Sequence, residues 1–413
     1  MPASIGGDDA LHAVLAPVSV DAFIAEYWER QPLHVARNTP GFFADVYDVA
    51  DIEEALVAGA RDLERFALVR AGAPQAALDE YVVTSPAIRG ASTGRPPTAH
   101  VDPRKVIALF ERGYTLVIKD AALLSARLQR TCNRLQRDLC AYAGANVYFT
   151  PPGAQGFEIH HDSHDTLTIQ IEGSKTWRIY EPVVELPLES QPLHGGTRLP
   201  PLTLHREVTL AAGDTLYLPR GYAHEAVADA ARALHVTFAL APVRAIDLLH
   251  AILDTRAAGE VGLRRALPFG WQNDPAFAAT FCAEIAAASA GIFAPETVAG
   301  ASEVVLNGLF AASRSDAGGA FDQLAALAGL GPNSILRLND ALPLLLRERA
   351  QTVDLMLPGT SLGLPKLCMP ALERLQAGPV RFGDLDLKLS ERDRHLFVTS
   401  LLLAGILLIE RPD

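Results

Sequence analysis

Residues 160–165, His-His-Asp-Ser-His-Asp, set three imidazoles and two carboxylates side by side in a stretch otherwise rich in β-branched and apolar residues. Imidazole nitrogens and carboxylate oxygens are ligands of first-row divalent metals, so the question is which of the five can reach one ion. On an extended strand His160, Asp162 and His164 face one way, and His161, Ser163 and Asp165 the other. Residues two apart lie roughly 6.6 Å from each other, and residues four apart roughly 13 Å. Ligand atoms must converge to about 2 Å from the metal, so His160 with Asp162, or Asp162 with His164, can share an ion. Either pair needs a third ligand. His224 is the candidate, because it follows the turn Gly213-Asp214, a strand-like run and the turn Pro219-Arg220-Gly221, at the mouth of a further strand. Two imidazoles and one carboxylate on a barrel face make the facial triad of non-haem Fe(II) oxygenases, which leaves three coordination positions open. A lone His-x-Asp more often lies on a solvated strand face, and a second histidine at the end of a barrel-like strand brings the two readings only level.

The elements that must position these groups read as strands. NVYFT (146–150), TLTIQI (166–171), TWRIY (176–180), DTLYLP (214–219) and LHVTFAL (234–240) are separated by Gly, Pro and charged turns, the spacing of a sandwich or barrel. Upstream, residues 20–60 read as helices, with Asp21 opening one segment and Pro32 closing it. Residues 82–103 read as a loop from their Pro, Gly and Ser content, followed by a short helix and a strand over 114–118. From about 243 the pattern turns helical: Ile246, Leu249 and Leu253 repeat at helical spacing, and Ala-rich segments continue to about 330. Toward the C-terminus, VDLMLP and SLGLPK predict a strand pair, PALERLQ a helix, and 390–405 a helix opened by a Ser390–Asp393 capping box and closed at Gly405 before the strand ILLIE.

Composition limits the classes. A chain of 413 residues, 49% hydrophobic and 20% charged, is long enough for two or three folded domains. The N-terminal stretch carries acidic residues where a signal peptide would be positive, and the apolar run at 401–409 is too short to span a bilayer. Four scattered cysteines without CxxC spacing fit reduced thiols and no zinc knuckle. The expectation is a soluble, cytoplasmic, multidomain protein without a membrane partner. A formal net charge of −12 argues against general nucleic-acid binding.

The run GANVYFTPPGAQGFEIHHDSHDTLTIQIEGSKTWRIYEP (144–182), followed by GDTLYLPRGYAHEA (213–226) and LHVTFAL, resembles the JmjC-domain ribosomal oxygenases. That family consists of cupin-fold, Fe(II)- and 2-oxoglutarate-dependent hydroxylases of ribosomal-protein side chains. Its pattern N-V-Y-x-T-P, Q-G, H-x-D-x-x-[DE], Q-x-x-G-x-[KR]-x-W and G-D-x-L-Y-x-P-R-G-x-x-H is present here in order and spacing. The resemblance implies an α+β protein with three parts. These are a double-stranded β-helix catalytic domain with N-terminal helices (1–242), a helical dimerisation domain (243–335) and a C-terminal winged helix (336–413). It implies Fe(II) on His160, Asp162 and His224, with His164 on a non-ligand position. Lys175 is implied to bind the distal carboxylate of 2-oxoglutarate, since a buried carboxylate needs a hydrogen-bonded counter-charge. Asn146 and Tyr148 match positions that face the target side chain. His161 and His164 are extra imidazoles beside the site. Ala233 stands where members with SLHLT on this strand have a substrate-contacting serine.

The implied activity is hydroxylation, with O₂ and 2-oxoglutarate, of a His or Arg side chain of a ribosomal protein by a homodimer. Two alternatives stay open. One is a hydroxylase of another protein or of a dedicated biosynthetic peptide. The other is a non-catalytic cupin and winged-helix binding module. The triad and Lys175 argue against the second, as does the charge from 371 to 413, six Lys/Arg against seven Asp/Glu, which suits phosphate contact poorly.

Overall fold

The computed structural model describes residues 10–85, 97–194, 200–289, 291–312, 319–342, 344–385 and 390–410. In chain order the strands that surround the site are β1 (Leu33–Val35), β2 (Phe66–Val69), β3 (Thr115–Ile118), β4 (Ala141–Thr150), β5 (His160–His161), β6 (Asp165–Glu172), β7 (Ser174–Tyr180), β8 (Leu193–His194), β9 (Leu204–Ala211), β10 (Thr215–Leu218), β11 (Ala223–Ala228) and β12 (Ala233–Pro242). They form two facing sheets. The larger runs β1-β10-β6-β12-β4-β3-β2 and the smaller β8-β5-β11-β7-β9. Together they make a double-stranded β-helix, carried by a chain of mixed helices and sheets.

The sequence explains why the sheets differ. β10 and most of β6 and β12 are buried on both faces, and residues of helices Ala10–Leu15 and Ala126–Leu139 share one core with Leu167, Tyr217 and Val236 of these strands. The smaller sheet alternates: Lys175, Trp177 and Ile179 of β7 are buried while Arg178 is exposed, the period of a strand with one wet face. Trp177, Ile179, Leu210, Leu216, Leu218 and Tyr222 pack one end of the space between the sheets. The other end is lined by polar groups.

Three local differences from the sequence reading have physical causes. β1 lies within 20–60, read as helical; Leu33 and Val35 are buried by pairing antiparallel with β10, a long-range contact that no local pattern records. The expected loop over 82–103 has strands at both ends, Val82–Ser85 and Thr98–Val101, paired antiparallel, while 86–96 lie outside the described residues. The extended run expected through 160–165 is a strand only at His160 and His161, after which the chain bends until β6 begins at Asp165.

Two compact units emerge. One comprises residues 1–241, 315–343 and 367–413, and the other 242–314 and 344–366. In the second, helices Ala245–Gly259 and Pro295–Ala312 pack together, and the latter meets the sheet of Leu345–Glu348, Thr352–Leu357 and Thr360–Pro365. The expected strand pair thus forms, inside the second unit. In the first, Ile335–Leu338, Val380–Arg381 and Leu407–Glu410 form a three-stranded antiparallel sheet. Helix Met369–Gln376 packs on it, as does Glu391–Leu403, whose N-cap Ser390 accepts from the Asp393 N–H. No helix among the described residues is long and apolar enough to cross a membrane.

Candidate metal centre

His160 and His224 stand directly opposite each other in the antiparallel pair β5–β11. That register brings their rings to 4.6 Å between centroids. Each Nδ1 is committed to the backbone: that of His160 lies 2.8 Å from the Glu158 carbonyl, and that of His224 3.1 Å from the Tyr222 carbonyl. Donation by Nδ1–H fixes the tautomer and leaves both Nε2 atoms as lone-pair ligands. Asp162 completes the set from the bend after β5, with an oxygen 3.7 Å from His224 Nε2. One ligand atom from each of the three lies within 4.8 Å of the others, a group that could hold a metal ion. His164 and His161 are not in it, and the buried His161 turns its Nε2 to the Gln191 carbonyl, 3.0 Å away.

Electrostatics prepare these atoms for a cation. Burial alone would push the Asp162 carboxyl up, but the imidazoles of His224 and His160, with His164 and His161 behind them, hold it below its ordinary value. Burial, reinforced by His160, pushes His224 down to about 4, so its ring is neutral and free to coordinate at physiological pH.

The bend that carries Asp162 is held by the Pro-Arg-Gly turn. The Gly221 N–H donates to the Asp162 carbonyl at 3.2 Å. Gly221 has φ +95°, and a Cβ there would lie 2.5 Å from the Val184 carbonyl oxygen, so the turn requires glycine. Just after the bend, fully buried Asp165 accepts from the Tyr217 hydroxyl (2.9 Å) and from the Arg220 backbone N–H and guanidinium (both 3.0 Å). Arg220 also pairs with Glu29 at 2.5 Å, and Trp28 stacks on Tyr217, so the N-terminal YWER segment locks the same turn. The acid that the sequence pattern assigns to Asp165 thereby clamps the start of β6 to the end of β10 and the Pro-Arg-Gly turn.

Lys175 points inward from β7 and is 3% exposed. Its ammonium crosses to the other sheet and donates to Thr150 Oγ1 at 2.7 Å; no carboxylate pairs with it among the described residues. Burial pushes its pKa down to about 7. Thr150, itself fully buried, also takes the Thr115 hydroxyl at 3.2 Å. A cavity joins Lys175 to the three candidate ligands, walled by Tyr148, Trp177 and His235 among others. A buried ammonium with one neutral partner at the end of a cavity is a receptor for an anion.

Tyr148 is in this wall, stacked on His235 at 4.7 Å, whereas Asn146 is absent from it and accepts from the Asp120 N–H at 3.0 Å. Ala233 is fully buried and also outside the lining. Sequence reasoning singled out neither His235 nor Thr150. Both lie in segments read as strands, LHVTFAL and NVYFT, in which polar residues stand among apolar ones.

Residues 122–248 match the JmjC domain family. Ribosomal oxygenase 1 of Gallus gallus is 34% identical over 228 residues, 54% of this chain and 35% of its own. The bifunctional lysine-specific demethylase and histidyl-hydroxylase NO66 of Drosophila persimilis is 30% identical over 236 residues, 56% of this chain and 31% of its own. The chain therefore spans about a third of the length of these curated relatives. The Escherichia coli ribosomal oxygenase YcfD superposes with a TM-score of 0.55 at 16% identity, over 95% of this chain and 98% of that one. A YcfD structure in complex with cobalt and 2-oxoglutarate also gives 0.55, at 16% identity over 96% and 99%.

Proposed function

We propose that this chain, a JmjC-domain protein through residues 122–248, is an Fe(II)- and 2-oxoglutarate-dependent dioxygenase that hydroxylates a His or Arg side chain of a ribosomal protein. The observation that carries the reading is the pairing of a facial triad with a buried, carboxylate-free Lys175 in one cavity. His160, Asp162 and His224 would hold the metal, and Lys175 the distal carboxylate of the cosubstrate. When bound, Fe(II) with 2-oxoglutarate and O₂ supplies the oxidation that inserts one oxygen into a C–H bond, releasing CO₂ and succinate. The residues of this chain orient and enclose. The backbone carbonyls of Glu158 and Tyr222 fix the two imidazoles, Lys175 sets the cosubstrate's reach, and the buried walls keep water from the reacting centre.

Tyr148, on the cavity wall, and Asn146, farther along the same strand, are proposed to meet the target side chain. Phe157, 42% exposed and tilted against His160 at 5.7 Å, forms the lip over which it would enter. The names of the relatives favour a ribosomal-protein target over a dedicated peptide. We further propose a homodimer through the helices of 243–335 and a winged helix within 336–413 without a nucleic-acid role. Exposed Leu253, Phe269, Trp271 and Phe293 support the first. The small sheet with its two helices, and the near balance of charge there, support the second.

The deciding experiment is mass spectrometry of ribosomal proteins from cells with and without the gene, paired with turnover of the modified peptide by purified enzyme. Gain of one oxygen on a His or Arg, dependent on the gene, is the expected result. Unchanged ribosomal proteins alongside active 2-oxoglutarate turnover would move the target to another protein or peptide.

A further inference from the structure

His235 projects from β12 into the same cavity and is 3% exposed. Its ring is held on two sides, stacked on Tyr148 at 4.7 Å and 10° and edge-on to Trp177 at 5.7 Å and 69°. Those contacts explain an aromatic ring at this place but not an imidazole, since phenylalanine would stack equally well without burying two nitrogens. Neither nitrogen has a hydrogen-bond partner among the described residues. Nδ1 is sealed off by the surrounding atoms, whereas Nε2 is not among the sealed atoms of the cavity wall. The indole Nε1 of Trp177 beside it is a second buried donor without a partner.

Charge fixes the protonation of the ring. Burial first, then the nearby ammonium of Lys175, holds His235 well below the ordinary imidazole range, so the ring is neutral. A neutral ring with one sealed and unbonded nitrogen keeps its proton on the other, because an unpaired buried N–H is costlier than an unpaired lone pair. The Nε2–H is then a fixed donor in the wall that Lys175 and His224 also line. Lys175 itself uses one of its three donors, on Thr150. Unsatisfied donors thus line one stretch of wall, and what satisfies them all is an acceptor-rich anion as long as that stretch.

We propose that His235 is a cosubstrate-binding residue whose Nε2–H donates to the 2-oxoglutarate dianion anchored by Lys175, an assignment that rests on the oxygenase reading above. The ring selects an oxo acid that runs the length of the wall, and its stack on Tyr148 makes the cosubstrate pocket and the target-facing residue one rigid piece.

The test is anaerobic titration of the Fe(II) enzyme with 2-oxoglutarate, followed by its metal-to-ligand charge-transfer absorption, in wild type, His235→Phe and His235→Gln. The Phe variant keeps the stack and removes the donor; the Gln variant restores an N–H near the place of Nε2. Loss of one hydrogen bond to a charged acceptor predicts that the dissociation constant rises about 10- to 100-fold in His235→Phe and recovers most of the way in His235→Gln. Fe(II) affinity and melting temperature should stay at wild-type values in both. A Phe variant that binds as tightly as wild type overturns the assignment, as does equal weakening in Phe and Gln, which would make the effect one of packing. Wild type without the absorption band would instead sink the oxygenase reading itself, so the two failures are distinct.

Discussion

Asp162 and His164 are two residues apart, yet only Asp162 comes within ligand distance of His160 and His224. The spacing left open which of the pairs His160–Asp162 and Asp162–His164 would serve. The bend after β5, with Gly221 holding the Asp162 carbonyl, breaks the alternation that would have turned His164 the same way. Alanine at His160, Asp162 or His224 should therefore abolish Fe(II) binding, while His164→Ala keeps it, as equilibrium dialysis would register. Metal loss in His164→Ala with retention in His160→Ala would reverse the ligand set. Lys175→Ala should weaken 2-oxoglutarate binding by roughly two to three decades, since breaking a buried charge pair costs about 3–5 kcal/mol and a decade is about 1.4 kcal/mol. Fe(II) affinity should hardly move. The depressed pKa of Lys175, about 7, gives a sign to the pH dependence. Above that pH the free enzyme carries a neutral amine, and binding a dianion must recruit a proton. Apparent affinity should then fall by up to about tenfold per pH unit above 7 and level off below it. Calorimetry at pH 8 in buffers of different ionisation enthalpy should show uptake approaching one proton in wild type and none in Lys175→Ala.

At the scale of elements, the turn at Gly221 governs the site more than any strand does. Gly221→Ala would place a methyl group 2.5 Å from the Val184 carbonyl at a φ of +95°. Strain of this kind costs about 1–3 kcal/mol, and here the relief route is to move the bend that carries Asp162. The expected outcome is a lower melting temperature together with weaker metal retention, whereas a turn unconnected to the site would lower the first alone. How far these elements were legible depends on where their determinants lie. β4, β6, β7, β10 and β12 were legible because period-2 patterns and Gly or Pro turns are local signals. β1 was not, because the three residues Leu33–Val35 become a strand only by pairing with β10 from far along the chain. The hairpin flanking 86–96 was hidden by its own turn-rich composition. Among site residues, the histidine cluster announced itself by type and spacing, and Lys175 through the family resemblance. Thr150 and His235 did not, because their strands mix polar and apolar residues, and only the cross-sheet geometry shows what each polar one faces.

At the scale of the whole molecule, light scattering should find a homodimer at micromolar concentration. Glutamate substitutions at the exposed Phe269 and Trp271, in the connection between helices of that segment, should yield monomers if the segment forms the contact. A wild-type monomer with that segment folded would remove the proposal. The unit that holds the barrel is assembled from three stretches of chain, 1–241, 315–343 and 367–413. Arg134, 8% exposed on the helix behind the larger sheet, reaches 206 residues along the sequence to meet Asp340 at 2.8 Å, and Arg137 donates to the Asp340 carbonyl at 2.8 Å. During synthesis, then, the barrel strands are complete when residue 242 leaves the ribosome, but the guanidinium behind them waits about another hundred residues for its carboxylate, several seconds at ordinary elongation rates. A nascent chain paused in that interval carries the candidate site on an unfinished support, and it is at that stage, not in the mature protein, that proteases and chaperones would find the molecule most open to them.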